Sequence, residues 1–164
     1  MDFALRDFRK EDFETLWTID QRCFAPGIAY SQQELGTYIG QRASFTLVAE
    51  TADGRGAAQG SLPAILGFVV AETRRSIGHI ITIDVVPDAR RTGVGSRLLA
   101  GAEERLRAAG CQEVYLETAV DNRDALIFYK QRGYFLNHVV PGYYSNGVDA
   151  LVLQKDLLSA ARAS

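Results

Sequence analysis

A chain of 164 residues, 47% hydrophobic and 23% charged, has the make-up of one globular domain, spanning 1–164, with a sizeable core. Its formal net charge of −2 argues against a nucleic-acid binder, which carries a basic face, and its apolar runs fall far short of the roughly 20 residues of a membrane span. The opening MDFALRDFRKEDF lacks an apolar signal segment, and Cys23 and Cys111 stand far apart in no metal or redox spacing, so free thiols in a reducing cytoplasm are expected.

Taken in chain order, FALRDF (3–8) alternates apolar and polar residues and predicts a strand. Phe13, Leu16, Trp17, Ile19, Cys23 and Phe24 share one helical face, which predicts a helix over 12–23. Ser31 and Glu34 form a capping box that opens a second helix. Strands are expected at 45–50 and 64–72, separated by a long Gly- and Ala-rich loop over 51–63. GHIITIDVV (78–86) is an almost unbroken apolar run that suits a strand buried on both faces. A helix follows, with Val94, Leu98, Leu99, Ala102 and Leu106 as its stripe and Gly110 as its stop. Then come a strand at 113–120, a helix at 122–132 and a strand at 134–140. An Asn-Gly hairpin turn at 145–147 and a closing strand at 149–157 end the pattern. The order β α α β β β α β α β β predicts an α/β fold with a mixed sheet and helices on both faces.

Between the 78–86 strand and its helix lies Arg90-Arg91-Thr92-Gly93-Val94-Gly95-Ser96. A helix N-terminus offers unpaired N–H groups and partial positive charge, which suit a phosphate. Glycines leave those donors uncovered, and Arg90 or Arg91 adds charge-assisted contacts. The plain alternative is a tight turn that needs glycine for its dihedrals. The segment is neither GxGxxG nor a P-loop.

Arg90 to Gly95 resembles the R/Q-x-x-G-x-G/A motif of the GCN5-related N-acetyltransferase (GNAT) superfamily. The resemblance implies a GNAT-like fold, with a central twisted sheet of six to seven strands, and acetyl-coenzyme A as co-substrate. It implies pyrophosphate binding by Arg90, Arg91, Thr92, Gly93, Val94, Gly95 and Ser96, and pantetheine pairing along Ile83, Asp84 and Val85. YLETAVDNRDALIFYKQRGYF (115–135) is similar to the branch that holds the ribosomal-protein-alanine and other N-terminal acetyltransferases, where Leu-Glu, Asn and Tyr keep the spacing of Glu117, Asn122 and Tyr129. The chain departs from that branch at Ala29-Tyr30-Ser31, where Pro-Trp-Ser is usual.

Acetyl transfer from a thioester to an amine needs a base, an acid for the leaving sulfur and a donor for the oxyanion. By resemblance these are Glu117, Tyr129 and the N–H of Val85, with Asn122 and Tyr129 also touching the coenzyme. Glu117 sits mid-strand, where burial would raise its pKa; its other reading is an outward carboxylate. Tyr129 can equally be a core aromatic, and Asn122 a helix cap. Tyr30, Tyr143 and Tyr144 are expected to line the acceptor site. His79 and His138 are the other possible bases, each more simply read as structural, and no metal-ligand spacing is present. The expected acceptor is the N-terminal amine of a protein; a small amine or antibiotic is the alternative. An idle acyl-coenzyme A-binding module is the reading from another class. No nucleic-acid or membrane partner is expected, and the chain is expected to be a monomer or homodimer.

Overall fold

The computed structural model describes residues 2–52 and 64–158. The expected 51–63 loop lies almost wholly outside them. The elements follow the predicted order: β1 (Phe3–Asp7), α1 (Phe13–Cys23), α2 (Gln32–Gly40), β2 (Ser44–Thr51), β3 (Ile65–Arg74), β4 (Ile77–Val85), α3 (Val94–Ala108), β5 (Glu113–Ala119), α4 (Arg123–Gln131), β6 (Phe135–Val140) and β7 (Ala150–Asp156). They form a seven-stranded sheet in the order β1-β2-β3-β4-β5-β7-β6, antiparallel except for the β4–β5 pair. The capping box of α2 is present, with Ser31 Oγ accepting from the Glu34 N–H at 3.1 Å and Glu34 Oε1 accepting from the Ser31 N–H at 2.9 Å. No helix among the described residues is long and apolar enough to cross a membrane.

Two features of β4 shape the molecule. Its pairing with β5 covers only Ile77↔Glu113 to Ile80↔Leu116, after which the strands part. It also carries a bulge, because Ala71 pairs with Ile80 and Val70 with Thr82, leaving Ile81 as an extra residue. A Cβ on Gly78 would meet Leu106 of α3, and a Cβ on Gly95 of α3 lies near Val85. Both strand residues therefore face α3 although seven positions separate them, which strict alternation forbids. The Ile81 bulge supplies the change of parity. Beyond it Thr82 and Asp84 turn away from α3, toward α1. His79, before the bulge, also points away from α3, so α1 and α2 cover the opposite sheet face. The expected burial of β4 on both faces holds only for Gly78, Ile80, Thr82 and Asp84; the alternate residues are half-buried or exposed, because the parting strands leave an opening there.

The hairpin turn expected at 145–147 is present, with the Tyr144 N–H donating to Val148 O at 3.2 Å across it, though its central residues are Ser145-Asn146 rather than Asn146-Gly147. Residues 141–149 connect β6 and β7, and the turn closes by the Gly147 N–H donating to Tyr144 O at 2.8 Å, which centres it on Ser145 and Asn146. Asn146 ties loops together: its amide donates to Pro26 O at 3.4 Å and its Oδ1 accepts from the Val148 N–H at 3.1 Å. Gly27, with φ of 89°, approaches so closely that a Cβ there would lie 2.7 Å from Asn146 Cβ. The α1–α2 and β6–β7 loops are thus packed onto each other.

Candidate functional site

Where β4 and β5 part, a cleft of about 470 Å³ opens, walled by Ile80–Ile83, Leu116–Ala119, the α1–α2 loop, α4 and the 141–149 loop. Its β4 wall is a backbone edge that β5 leaves unpaired beyond Ile80. The Val86 N–H bonds Leu66 O at 2.9 Å, so Val86, Asp84 and Thr82 exchange hydrogen bonds with β3. Alternation then points the N–H and C=O groups of Val85 and Ile83 the other way, into the opening. The Val85 carbonyl takes a bond from the Cys23 thiol at 3.4 Å and from Arg90 Nε at 3.2 Å. The Ile81 carbonyl accepts from the Tyr30 hydroxyl at 3.3 Å. Of the β4 residues expected to meet the coenzyme, Ile83 lines the cleft. Asp84 can offer no side chain there, because it is buried toward α1.

On one side of the cleft stands a carboxylate pair bridged by a histidine. Glu117 Oε2 lies 2.8 Å from His79 Nε2, and Glu72 Oε1 lies 3.2 Å from His79 Nδ1. The ring of Tyr115 stacks on His79 with centroids 4.3 Å apart. Burial disfavours the imidazolium, but the hydrogen bonds and charges of Glu117 and Glu72 outweigh it, so the His79 pKa is raised. The Tyr143 hydroxyl donates to Glu117 Oε1 at 3.5 Å. Burial, then Glu117, pushes the Tyr143 phenol up to about 12, so it remains a donor at neutral pH. Tyr144 packs edge-on against Tyr143 at 4.9 Å, and Tyr30 and Tyr38 complete an aromatic wall. Tyr30 is held in place from outside: Trp17 Nε1 donates to its carbonyl at 3.0 Å and Gln21 at 2.6 Å, while its N–H donates to Asp20 at 2.7 Å.

On the other side lie Tyr129 and Asn122. Tyr129 is buried, and burial followed by the nearby Asp84 and Tyr144 raises its pKa, leaving a neutral hydroxyl at the cleft wall. Asn122 caps α4, its Oδ1 accepting from the Ala125 N–H at 3.2 Å, and also lines the cleft. The start of α3 follows. Arg91 and Gly93 have left-handed φ of 63° and 93°, so the turn does demand glycine at 93. A Cβ at Gly93 would meet nothing within 4 Å. The first intrahelical bond is Arg97 N–H to Gly93 O, so the amides of Gly93, Val94, Gly95 and Ser96 precede the ladder. Val94 is fully buried and can offer only its amide, while Arg90, Arg91 and Thr92 are exposed. The Thr92 hydroxyl donates to Ala89 O.

The structure thus gathers Glu117, Tyr129, Asn122, Tyr30, Tyr143 and Tyr144 around one cleft. Sequence reasoning set His79 aside as structural. The signal that could have found it is register: His79 pairs with Tyr115 on the parallel β5, two residues from Glu117. His138 lies on β6, bonded to Asn137 Oδ1 at 3.0 Å. Cys23, half-buried and free like Cys111, was not expected at the site, where burial and then Asp84 push its thiol up to about 11. Arg132 was missed too. It crosses from α4 to α3, donating from Nε to Ser96 Oγ at 3.0 Å and from Nη1 to Phe128 O at 2.9 Å, with its guanidinium 3.9 Å from the Phe128 ring centroid.

Comparison with known proteins accords with this fold. The chain is 33% identical over 92 residues to an uncharacterized N-acetyltransferase of Methanocaldococcus jannaschii, covering 56% of this chain and 59% of that one. It is 35% identical over 81 residues to an N-alpha-acetyltransferase of Sulfurisphaera tokodaii, covering 49% of this chain and 48% of that one. The chain therefore spans about half the length of these curated relatives. The solved structure of Ard1 from Thermoplasma volcanium shares the fold with a TM-score of 0.81 at 24% identity, covering 95% of this chain and 98% of that one. The acetyltransferase (GNAT) family model matches residues 5–134, most of the length, and the chain belongs to that family.

Proposed function

We propose that this protein is an acetyl-coenzyme A-dependent N-acetyltransferase that acts on the N-terminal α-amino group of a polypeptide. The observation that carries the reading is the arrangement of the parted strands, with Glu117 and His79 on one side and the neutral Tyr129 on the other. The chain fits the coenzyme: the backbone of Ile83 and the N–H of Val85 on the edge that β5 leaves unpaired, bare amides at Gly93–Ser96 and open space beside Gly93 suit an amide-bearing arm that ends in phosphates. Arg90, Arg91, Thr92 and Asn122 would hold it further. Acetyl-coenzyme A supplies the activated acyl group when bound.

The rest is work for this chain. An α-amino group with a pKa near 8 arrives mostly protonated, so the Glu117–His79 pair first takes a proton from it. The Val85 N–H, aimed into the opening, stabilises charge on the acyl oxygen. The Tyr129 hydroxyl keeps its proton until the sulfur leaves, then protonates it. Tyr30, Tyr143 and Tyr144 wall the acceptor entrance with stiff aromatic surface, which favours a chain end over a side chain flanked by its own backbone.

The test is tandem mass spectrometry on a peptide that carries both a free N-terminus and an internal lysine. Acetylation at the terminus alone is expected. Modification of the lysine alone, or of an aminoglycoside or polyamine while the peptide stays untouched, would overturn the assignment in favour of a small-amine acetyltransferase.

A further inference from the structure

Beside the cleft, a second concavity of about 350 Å³ opens over β5, β7 and β6. Its walls include Ile77, Tyr115, Val140 and Val152, with Glu113 and Gln154 at its polar end. Glu117 and Tyr143 line both this groove and the cleft. An amine brought to Glu117 therefore stands at the junction, and the chain behind it has the groove as a way out.

Distance and charge say what the groove suits. Glu113 and Glu117 are four positions apart on one strand, about 13 Å at ~3.3 Å per residue. An extended acceptor covers that span in about four of its own residues. The groove residues include two glutamates and no lysine or arginine. Glu113 makes no ion pair among the described residues; its Oε2 accepts from the neutral Gln154 amide at 2.7 Å, which leaves its charge uncompensated. Arg74, at the end of β3, acts electrostatically on Tyr115, and His138 is the histidine among the groove residues. Tyr115 and Val152 give an apolar floor along which a long methylene stem can lie.

We propose that this groove is a specificity subsite for the third to fifth residues of the acceptor chain, where Glu113 selects a basic side chain. The proposal rests on the N-terminal acetyltransferase reading. A half-exposed charge pair supports modest discrimination, expected at about three- to tenfold in kcat/KM.

The experiment uses three peptides with one free terminus that differ only in Lys, Ala or Glu at position four. kcat/KM is measured for the full chain and for Glu113→Gln and Glu113→Lys, each checked for folding by circular dichroism. The expected order is Lys over Ala over Glu, with the Lys-to-Ala ratio near one in Glu113→Gln and the order reversed in Glu113→Lys. Equal kcat/KM for the three peptides, or a lysine preference that survives both substitutions, would overturn the subsite while leaving the N-terminal activity standing. Acetylation of none of the peptides, with transfer to a small amine, would remove the activity and the subsite together.

Discussion

Glu117 meets His79 through one carboxylate oxygen and Tyr143 through the other, so both of its oxygens are committed before any substrate arrives. The Glu117–His79 pair can accept a proton only when His79 is neutral, and Glu117 with Glu72 hold the imidazole proton above its ordinary pKa of 6.5. The acidic limb of kcat/KM should therefore contain an enzyme ionisation above pH 6.5. In His79→Gln that ionisation should disappear and the limb should move to lower pH, while the plateau rate falls. The substrate amine adds its own limb near pH 8, so the ratio of variant to wild-type profiles isolates the enzyme's group. A flat ratio across pH 5.5–8.5 would remove His79 from the base. Tyr129→Phe belongs to the other step. Loss of a positioned acid should lower kcat by about 10²–10⁴-fold with little change in coenzyme affinity by calorimetry. An equal loss of affinity would make Tyr129 a binding residue only.

The start of α3 shows two demands on one short element, and they separate by mutation. Gly93 is required by its backbone, at φ of 93°, and a Cβ there would meet open space. Gly93→Ala should therefore cost about 1–2 kcal/mol of stability, visible as a lower Tm, and retain coenzyme binding. Gly95 lies inside the helix, where a Cβ would sit 3.4 Å from the Phe128 ring. Gly95→Glu adds bulk and negative charge beside the bare amides, so coenzyme binding should vanish in calorimetry while circular dichroism stays helical. Binding retained in a folded Gly95→Glu would exclude the helix start as the phosphate site. Every α-helix and strand among the described residues was legible, because hydrophobic period and capping residues are local signals: the Ser31–Glu34 box and the stripe from Val94 to Leu106 needed no tertiary knowledge. The turn at 145–147 was legible too, but not what it packs against: Asn146 donates to Pro26 O and is closely approached by Gly27, over a hundred residues away in sequence. The same limit hid the His79–Glu117 pair and the Arg132 bridge, which exist only once β4 lies beside β5 and α4 beside α3. The bulge at Ile81 also has no local signature, and it decides which β4 side chains meet the cleft and which meet α1.

Across the whole molecule, α1 is joined to the sheet through two buried carboxyl groups. Asp20 on α1 and Asp84 on β4 are both buried, and Asp20 Oδ1 and Asp84 Oδ2 have no other partner among the described residues. One proton between them satisfies both. Desolvation, then the charge and hydrogen bond of Asp20, raise the Asp84 pKa well above its ordinary 3.8. Thr82, donating to Asp84 Oδ1 at 2.6 Å, and the positive charge of Arg90 oppose that rise. Desolvation raises Asp20 too, against the hydrogen bond from Asp84 and the Tyr30 N–H; Glu34 adds to the rise. Cys23 and Tyr129 also lie within the field of Asp84. The sign follows from linkage. The native state holds a proton that the unfolded chain releases near pH 3.8, so this stabilisation is complete below that pH and is lost as pH rises through the native value. Thermal unfolding should therefore show stability that declines as pH rises above about 3.8 and levels off beyond the raised native pKa of Asp84. Asp84→Asn keeps a donor for Asp20 and an acceptor for Thr82 with no proton to lose, so its decline should be shallower and its Tm above wild type at pH 8–9. Asp84→Ala leaves Asp20 buried without its donor and should cost about 1–3 kcal/mol. Because Asp20 also holds the Tyr30 N–H, that variant should loosen the aromatic wall and raise the acceptor KM more than the coenzyme Kd. Parallel Tm-versus-pH curves for wild type and Asp84→Asn would show that no proton is held between the two carboxyls.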